Sequence, residues 1–438
     1  MQKPKDKSKT SAELSGKTLL LVNSGYRRKE FILKRIQELG CSIILLNKEE
    51  NWAQKYIDDL ILADTNNHAE SLEAVRKYAQ EHVLDGVICF WEDDVLLTSK
   101  IVDMLDLPGI PYRVAKTARN KYLFRELCQE TGIPTPQHRM ISSETDADYV
   151  MNKFAFPVIV KPIYGSSSVL VVKVEKKSDL QKVIRYITEN ISEKIESALA
   201  NGTQILVEEY LDGQEVDIDM LLQNGKVKLS SITDNNPTDE PFFVETGDSI
   251  PSSLPEEAQE KLVGMAEQTL EKLGVQQGCI HFEAKWTKRG PFPIEANLRM
   301  GGDMTYSLVK QCWGVDLIEN AVKIALGVYI KPEKPAQPLQ YIADQFFLSE
   351  HSGVLMELNI EEELSKKDYL GEFHFHKEVG DAVLVPPEGY EYLGWVSAHG
   401  ESPVIAQDNL QEALEYVHYT VAKYHPASSV GKTVRKTP

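Results

Sequence analysis

Short apolar runs alternate with longer amphipathic stretches along the N-terminal part of the chain. The apolar runs have the length of buried strands and lie at Thr18–Val22, Ser42–Leu46 and Gly86–Phe90. Between them, around Arg28–Leu39 and Ala69–His82, apolar residues recur at helical spacing. Strands that alternate with helices predict βαβ units and a parallel sheet. We therefore expect a parallel-sheet domain over residues 17–115, after a disordered polar tail at residues 1–16.

The middle of the chain has a different pattern, in which strand signals follow one another closely. Lys116–Thr131 has the pattern of one helix that ends at Gly132, with prolines beyond it. The strand-like runs that come next are PVIVKP, VLVVKV, ILVEEYL and VDIDMLL. They predict a small antiparallel sheet, inserted at about residues 155–212, with one helix around Asp179–Ile195.

A strand hairpin at residues 278–300 closes this middle domain, to which we assign residues 116–330. Pro332 and Pro335 mark a linker after it. A β-rich C-terminal unit is expected over residues 331–427, and residues 428–438 have the composition of a disordered tail.

Composition and charge restrict the class of function. The chain has 438 residues and a formal net charge of -18, which argues against a nucleic-acid partner because phosphate backbones require a basic surface. Its five cysteines are widely spaced without a CxxC pair, a pattern typical of a reducing compartment. No apolar run has the length of a membrane helix or a secretory signal. We expect a cytoplasmic protein without a membrane partner.

The hairpin carries the clearest chemical signal. In a strand, alternate residues share a face, so Glu283 lies with Cys279, His281 and Lys285, and Glu295 with Pro293, Asn297 and Arg299. A symmetric turn centred on Arg289 places Glu283 directly across from Glu295. Opposed carboxylates repel each other, and Mg²⁺ prefers carboxylate and amide oxygens. We therefore predict that Glu283, Glu295 and Asn297 bind a metal, with Arg299 stabilising negative charge beside it.

Two lysines and an acidic strand end are weaker signals. Lys161 follows the apolar run 158–160, within the segment VKPIYGSSSV. The amides and hydroxyls of the Gly/Ser turn that comes next could bind a phosphate together with this lysine. Lys121, in ARNKYLFREL, has no such context of its own. In LVEEYLDGQE, a strand leads into a turn that could present backbone groups and Leu211 to a flat base, and Glu215 to ribose hydroxyls. Each of these segments taken alone is also typical of an ordinary surface.

The order of these motifs along residues 18–425 resembles the ATP-grasp superfamily. The resemblance implies an α/β (α+β) fold with a Rossmann-like N-terminal domain, although the chain has no GxGxxG motif, and with ATP bound between the inserted small sheet and the C-terminal lobe. It implies ATP and Mg²⁺ (or Mn²⁺) as cofactors and an acyl-phosphate mechanism in which Arg299 is catalytic. The nucleotide-binding residues that the resemblance implies are Lys121, Lys161, Gly165, Ser166, Ser167, Ser168, Glu208, Glu209, Tyr210, Leu211 and Glu215.

Within the superfamily, the chain is most similar to the bacterial L-amino acid ligases, which make dipeptides. The shared features are the GSSS loop, the segment EPFFVETG, the NLRMGG motif and the β-rich C-terminal unit. This likeness implies that Glu245 faces a substrate amino group and that Gly301 and Gly302 approach a substrate carboxylate. Some of these ligases have a histidine where Asp248 stands, so the amino-acid preference is left open. The partners implied are small amino-acid substrates, and a homodimer is the commonest assembly.

Other functions remain possible on the sequence alone. They are another ATP-grasp ligase or carboxylase (of the biotin-carboxylase, purine-pathway or D-alanyl-D-alanine type), a nucleotide-binding regulator without catalysis, and a scaffold protein. A regulator has no need of Arg299 beside the opposed glutamates. A scaffold leaves the opposed glutamates unexplained.

Overall fold

The computed structural model describes residues 13–192, 197–238, 240–302 and 304–424. Most of both predicted tails, residues 1–12 and 428–438, therefore lies outside the described residues. The N-terminal tail prediction is wrong at its end, because the side chain of Leu14 is fully buried among the core residues. An apolar residue that packs in the core orders the short segment on either side of it.

The N-terminal sheet is parallel, as predicted, and has the strand order β3-β2-β1-β4. Its strands are β1 (Thr18–Val22), β2 (Ser42–Asn47), β3 (Asp59–Leu62) and β4 (Gly86–Ile88). Its connecting helices are α1 (Glu30–Leu39), α2 (His68–Glu81) and α3 (Val95–Leu105). Strand β3 was not predicted, because its short sequence DLIL is exposed at two of its four positions and lacks a continuous apolar run.

The predicted helix from Lys116 to Thr131 is two helices. Helix α4 covers Tyr112–Arg119 and helix α5 covers Lys121–Thr131, and Asn120 between them has an extended backbone. The Asn120 side chain accepts a hydrogen bond from the backbone N–H of Leu123, which caps α5. The break places Lys121 at the first position of α5, as its sequence context alone did not show.

The small sheet is antiparallel and has the order β5-β8-β6-β7. Its strands are β5 (His138–Ile141), β6 (Val158–Pro162), β7 (Val172–Val174) and β8 (Ile205–Glu209), and helices α6 (Glu144–Lys153) and α7 (Leu180–Asn190) accompany it. Strand β5 precedes the predicted start of this sheet at residue 155. The run VDIDMLL, which we had placed in this sheet, belongs to the large sheet instead, because a strand's pattern does not reveal which strands it pairs with.

Among the described residues, the large sheet has eight strands in the order β13-β12-β9-β10-β11-β14-β18-β16, and all of these pairs are antiparallel. The strands from the middle domain are β9 (Gly213–Gln223), β10 (Lys226–Asn235), β11 (Asp248–Ile250), β12 (Gly278–Thr287) and β13 (Gly290–Asn297). Asn224 and Gly225 join β9 to β10, and both have positive φ, as a two-residue hairpin turn requires.

The β-rich C-terminal unit is only partly separate. Three of its strands extend the large sheet: β14 (Tyr341–Phe347), β16 (Leu370–Phe375) and β18 (Gly394–Gly400). The others, β15 (Gly353–Ile360), β17 (Ala382–Val383) and β19 (Val417–Lys423), form a three-stranded sheet. The remaining helices are α8 (Glu256–Leu273), α9 (Thr305–Trp313), α10 (Leu317–Ala325) and α11 (Pro403–Leu414).

Along strand β12 one face belongs to the core, and the other face is polar from His281 to Lys285. Ile280, Phe282 and Ala284 of β12 are fully buried and cluster with apolar residues of α8. Because side chains alternate along a strand, burying this face turns His281, Glu283 and Lys285 to the opposite side. That polar face is the one that bears the candidate site.

All five cysteines are buried and unpaired. Within the described ranges, no helix is both long enough and apolar enough to cross a membrane.

Candidate active site

A cavity of about 690 Å³ is lined by the small sheet and by the polar face of the large sheet. It contains residues of nearly every predicted motif. The site residues that line it are Lys121, Lys161, Gly165, Ser166, Ser167, Ser168, Glu208, Glu209, Tyr210, Leu211, Glu215, Glu245, Glu283, Glu295, Asn297 and Arg299.

The hairpin places Glu283 directly across from Glu295, as predicted. The turn itself is one residue shorter than the symmetric turn assumed from the sequence, because Thr287 pairs with Gly290. A β-bulge at Ile294 restores the register. The bulge also reverses two predicted orientations: Pro293 is paired with Ala284, which belongs to the apolar face, and Ile294 lines the cavity. The Ile294 carbonyl accepts a hydrogen bond from Arg125.

The surroundings of Glu283 raise its pKa. Burial first, and then repulsion from Glu295 and Asp217, raises the pKa of Glu283 to about 8. The Asn297 amide donates a 2.9 Å hydrogen bond to Glu283 Oε1, so the two side chains already adjoin. A carboxyl group in this state accepts a cation readily, because a bound cation replaces its proton and relieves the repulsion.

Glu295 is held ionised by cations. Lys121 Nζ lies 3.0 Å from Glu295 Oε1 and Arg119 lies 3.9 Å from the same oxygen. Burial acts to raise the pKa of Glu295, but Lys121 and Arg119 outweigh it and the pKa is lowered. Lys121 also donates to the carbonyl of Gly165, at 3.0 Å. The lysine therefore connects the hairpin to the loop that covers the cavity.

Lys161 is fixed by Glu208. Lys161 Nζ lies 2.6 Å from Glu208 Oε2, and Arg125 Nε lies 2.6 Å from Glu208 Oε1. Burial acts to raise the pKa of Glu208, but Arg125 and Lys161 lower it to about 2. The resemblance implies a place for Glu208 in the nucleotide site, and Glu208 does line the cavity. Its carboxylate pairs with two buried cations and so positions Lys161; its contact with the base stays a prediction.

The loop Gly165–Ser168 has an unusual backbone. Gly165, Ser167 and Ser168 have φ angles of 146°, 50° and 53°. Positive φ is uncommon for residues other than glycine and concentrates at ligand-binding turns. With Lys121 bound to the Gly165 carbonyl, the loop is held over the two lysines.

The strand end after β8 forms the opposite wall of the cavity. Leu211 is almost fully buried. The Glu209 carboxylate pairs with Arg289 at 2.7 Å, near the surface, and Glu215 pairs with Lys285 at 3.2 Å. Tyr210 donates a 2.9 Å hydrogen bond to Glu240. These side chains leave an apolar surface at Leu211 next to polar groups, which suits a base and a sugar.

Arg299 is oriented by a residue of the N-terminal domain that the sequence analysis missed. Arg299 Nε lies 2.8 Å from Glu92 Oε2, and Arg119 lies 3.1 Å from Glu92 Oε1. The Glu92 side chain is only 4% exposed. Glu92 follows β4 at the carboxyl end of the parallel sheet, where ligand-binding residues of such sheets commonly lie. This position, just after a strand of a predicted parallel sheet, is the feature of the sequence that could have identified Glu92.

Only some of the residues predicted to contact amino acids line the cavity. Glu245 lines the cavity but is exposed. Among the described residues, those lining the cavity do not include Asp248, Gly301 or Gly302. A Cβ atom on Gly301 would lie 2.4 Å from Thr305, so packing at the start of α9 is enough to require this glycine. The assignments of Asp248, Gly301 and Gly302 remain predictions.

Two further acids and a histidine adjoin the metal-site candidates. Asp217 pairs across the sheet with Glu283, and Asp219 with His281. His281 Nδ1 lies 2.9 Å from Asp219; burial acts to lower the His281 pKa, but the two aspartates raise it to about 10. The sequence held a signal for these acids: Glu215, Asp217 and Asp219 alternate with apolar residues, so a strand presents all three on one face.

The donor set fits Mg²⁺. Glu283, Glu295 and Asn297 offer hard oxygen atoms, and the two carboxylates lie directly opposite each other across the hairpin, where a bound cation would relieve their repulsion. Within the described part of the chain, no group of three or more His, Cys, Asp or Glu side chains forms a cage for a metal. Mg²⁺ commonly takes one or two protein carboxylates and completes its shell with water and substrate phosphates.

Three protein-family models match consecutive parts of the chain. They are the ATP-grasp N-terminal domain at residues 34–109, the ATP-grasp domain at residues 154–307 and the L-amino acid ligase C-terminal domain 2 at residues 345–422. The chain therefore belongs to the ATP-grasp superfamily, whose members generally use ATP and Mg²⁺. Its C-terminal part carries the domain described for L-amino acid ligases.

Individual relatives agree with this assignment. Carnosine synthase 1 of Homo sapiens is 27% identical over 90% of this chain and 50% of that protein. Alanine–anticapsin ligase of Bacillus subtilis is 25% identical over 57% of this chain and 56% of that protein. The chain thus spans about half the length of the first of these relatives.

Solved structures share the fold. An L-amino acid ligase from Bacillus licheniformis superposes with a TM-score of 0.80 at 23% identity, covering 93% of this chain and 99% of the other. An N5-carboxyaminoimidazole synthetase from Staphylococcus aureus, solved with ADP, has a TM-score of 0.69 at 13% identity, covering 91% and 97%. At these identities the likeness concerns the fold alone.

Proposed function

We propose that the protein is an ATP- and Mg²⁺-dependent ligase that joins the carboxylate of one amino acid to the amine of another. The observation that carries the proposal is the opposed pair Glu283 and Glu295, with Asn297 and Arg299 beside it, in one cavity with Lys121 and Lys161. The C-terminal domain match and the relatives named carnosine synthase 1 and alanine–anticapsin ligase support amino-acid substrates.

Each group of residues has its own role in such a reaction. Lys121 and Lys161 bind nucleotide phosphates, Glu209 to Leu211 hold the base and Glu215 the ribose. Glu283, Glu295 and Asn297 would hold Mg²⁺, which would supply positive charge to phosphate oxygens. Catalysis of phosphoryl transfer depends mainly on such positioning and charge neutralisation.

The bond changes follow from this arrangement. The carboxylate of the first amino acid attacks the γ-phosphate of ATP, which gives an acyl phosphate and ADP. The amine of the second amino acid then attacks the acyl carbon, and phosphate leaves as the amide bond forms. Arg299, held by Glu92, stabilises the negative charge that develops on the tetrahedral intermediate.

A phosphate-release screen tests the proposal. The pure protein is incubated with ATP, Mg²⁺ and pairs of amino acids, with bicarbonate and single amino acids as separate arms. Release that requires an amino-acid pair and yields a dipeptide supports the proposal. Release driven by bicarbonate in place of amino acids identifies a carboxylase instead, and ATP binding without release in any arm identifies a nucleotide-binding regulator.

A further inference from the structure

The segment Glu240–Val244, which we call the strap, connects the nucleotide side of the cavity to Glu245. Its main chain is attached to the edge of the small sheet: Phe242 forms a β-bridge with Val172, and Lys173 N–H donates to the Pro241 carbonyl at 2.9 Å. The strap therefore extends the small sheet, although it lies far from that sheet in sequence.

Side chains attach the strap to the cavity wall at Glu209–Leu211, which we call the nucleotide wall. The Glu240 carboxylate accepts a 2.9 Å hydrogen bond from the Tyr210 hydroxyl through one oxygen and pairs with Lys173 through the other. Lys173 also lies 4.1 Å from the centre of the Tyr210 ring. The hydrogen bond to Lys173 is the largest cause of the lowered pKa of Glu240.

The residues that follow the strap are attached to the large sheet. Just beyond Glu245, the Thr246 carbonyl accepts a hydrogen bond from Phe346 N–H at 2.9 Å, and the Gly247 carbonyl accepts one from Asn236 N–H at 2.8 Å. Glu245 thus lies between the strap, which is hydrogen-bonded to the small sheet, and Thr246–Gly247, which are hydrogen-bonded to the large sheet and the residue after strand β10. Any closure of the small sheet over a nucleotide displaces the strap relative to Thr246–Gly247.

We propose that Glu240 is a positioning residue that couples nucleotide binding at Tyr210 to the placement of the strap and of Glu245. A base stacked at the nucleotide wall restrains Tyr210, the restrained hydroxyl holds Glu240, and the ordered strap presents Glu245 to the amino-acid substrate. This inference rests on the proposed function, since it takes Tyr210 as part of a nucleotide site. It predicts that a bound nucleotide raises the affinity for the amino acid, and that a bound amino acid raises the affinity for the nucleotide by the same factor.

Hydrogen exchange with a non-hydrolysable ATP analogue and Mg²⁺ tests the coupling without knowledge of the amino acid. Two peptides are followed, one over residues 206–212 at the nucleotide wall and one over 240–247 at the strap. In the unmodified protein the analogue slows exchange in both, by at least about fivefold at the strap. In Glu240→Ala, protection of the wall remains and the nucleotide-dependent protection of the strap is lost.

The matched control is Glu175→Ala. Glu175 is the other carboxylate that pairs with Lys173, at 3.0 Å, but it lies outside the strap, so its variant keeps the nucleotide-dependent protection. A merely structural role for Glu240 would change strap exchange equally with and without the analogue. Wall protection without strap protection in the unmodified protein overturns the coupling alone. Protection of neither peptide overturns the proposed nucleotide site together with it.

Discussion

Glu208→Gln tests whether the buried ion pairs hold the nucleotide lysine in place. The variant leaves Lys161 and Arg125, whose side chains are 6% and 0% exposed, without the carboxylate between them. The fall of the Glu208 pKa from 4.5 to about 2 corresponds to roughly 3 kcal/mol, at ~1.4 kcal/mol per pKa unit. Removing one partner of a buried pair costs ~3–5 kcal/mol in general. We therefore expect a loss of about 3 kcal/mol in the free energy of unfolding.

The matched control is the neighbouring Glu209→Gln. Glu209 pairs with Arg289 near the surface, where the two side chains are 31% and 53% exposed, and exposed pairs contribute ~1 kcal/mol or less. Urea denaturation of both variants gives the comparison. Equal losses for the two variants would contradict the assignment of Glu208 as the buried partner of Lys161.

The pH dependence of the same measurement gives an independent check. Because the folded-state pKa of Glu208 is depressed, its contribution to stability is fully present above the unfolded pKa near 4.5 and is lost as pH falls towards 2. The stability difference between the unmodified protein and Glu208→Gln should therefore narrow below about pH 4.5. A difference that is constant across this range would show that the carboxylate is not held ionised by its neighbours.

Three further variants test the site. Glu295→Gln should abolish turnover in a protein that still folds, with a lower melting temperature because Lys121 and Arg119 lose their buried carboxylate partner; turnover retained at ordinary Mg²⁺ would falsify the metal assignment. Lys161→Ala should weaken ATP binding in calorimetry, and an unchanged affinity in the folded variant would remove Lys161 from the phosphate site. Glu245→Gln should raise the KM for the N-terminal amino acid more than that for ATP, by an amount equivalent to ~1.5–3 kcal/mol; equal effects in steady-state kinetics would place Glu245 outside the amino-acid pocket.

The alternation of side chains was enough to predict the opposed pair Glu283 and Glu295, because strand periodicity fixes which residues share a face. The bulge at Ile294 was not predictable, since it coincides with a hydrogen bond from Arg125, which lies 169 residues away in sequence. The assumed symmetric turn gave the correct pair only because the bulge compensates for the shorter turn.

The charged partners of the site were the larger omission. Glu92 comes from a segment that carries no motif, and Arg119 lies in ARNKYLFREL, where only Lys121 was given a role. The two residues contact Arg299 and Glu295 only in the folded chain. Long-range ion pairs of this kind are invisible to local pattern. The strand VDIDMLL was recognised as a strand, but its sheet was wrong for the same reason: pairing depends on residues elsewhere in the chain.

Isotope transfer tests most directly whether a substrate carboxylate is activated by phosphorylation. With an amino-acid pair found by the phosphate-release screen, the carboxylate of the first amino acid is labelled with ¹⁸O and the reaction products are analysed by mass spectrometry. The acyl-phosphate route predicts ADP as the nucleotide product and one ¹⁸O atom in the released phosphate. AMP with pyrophosphate, or phosphate without the label, would contradict it.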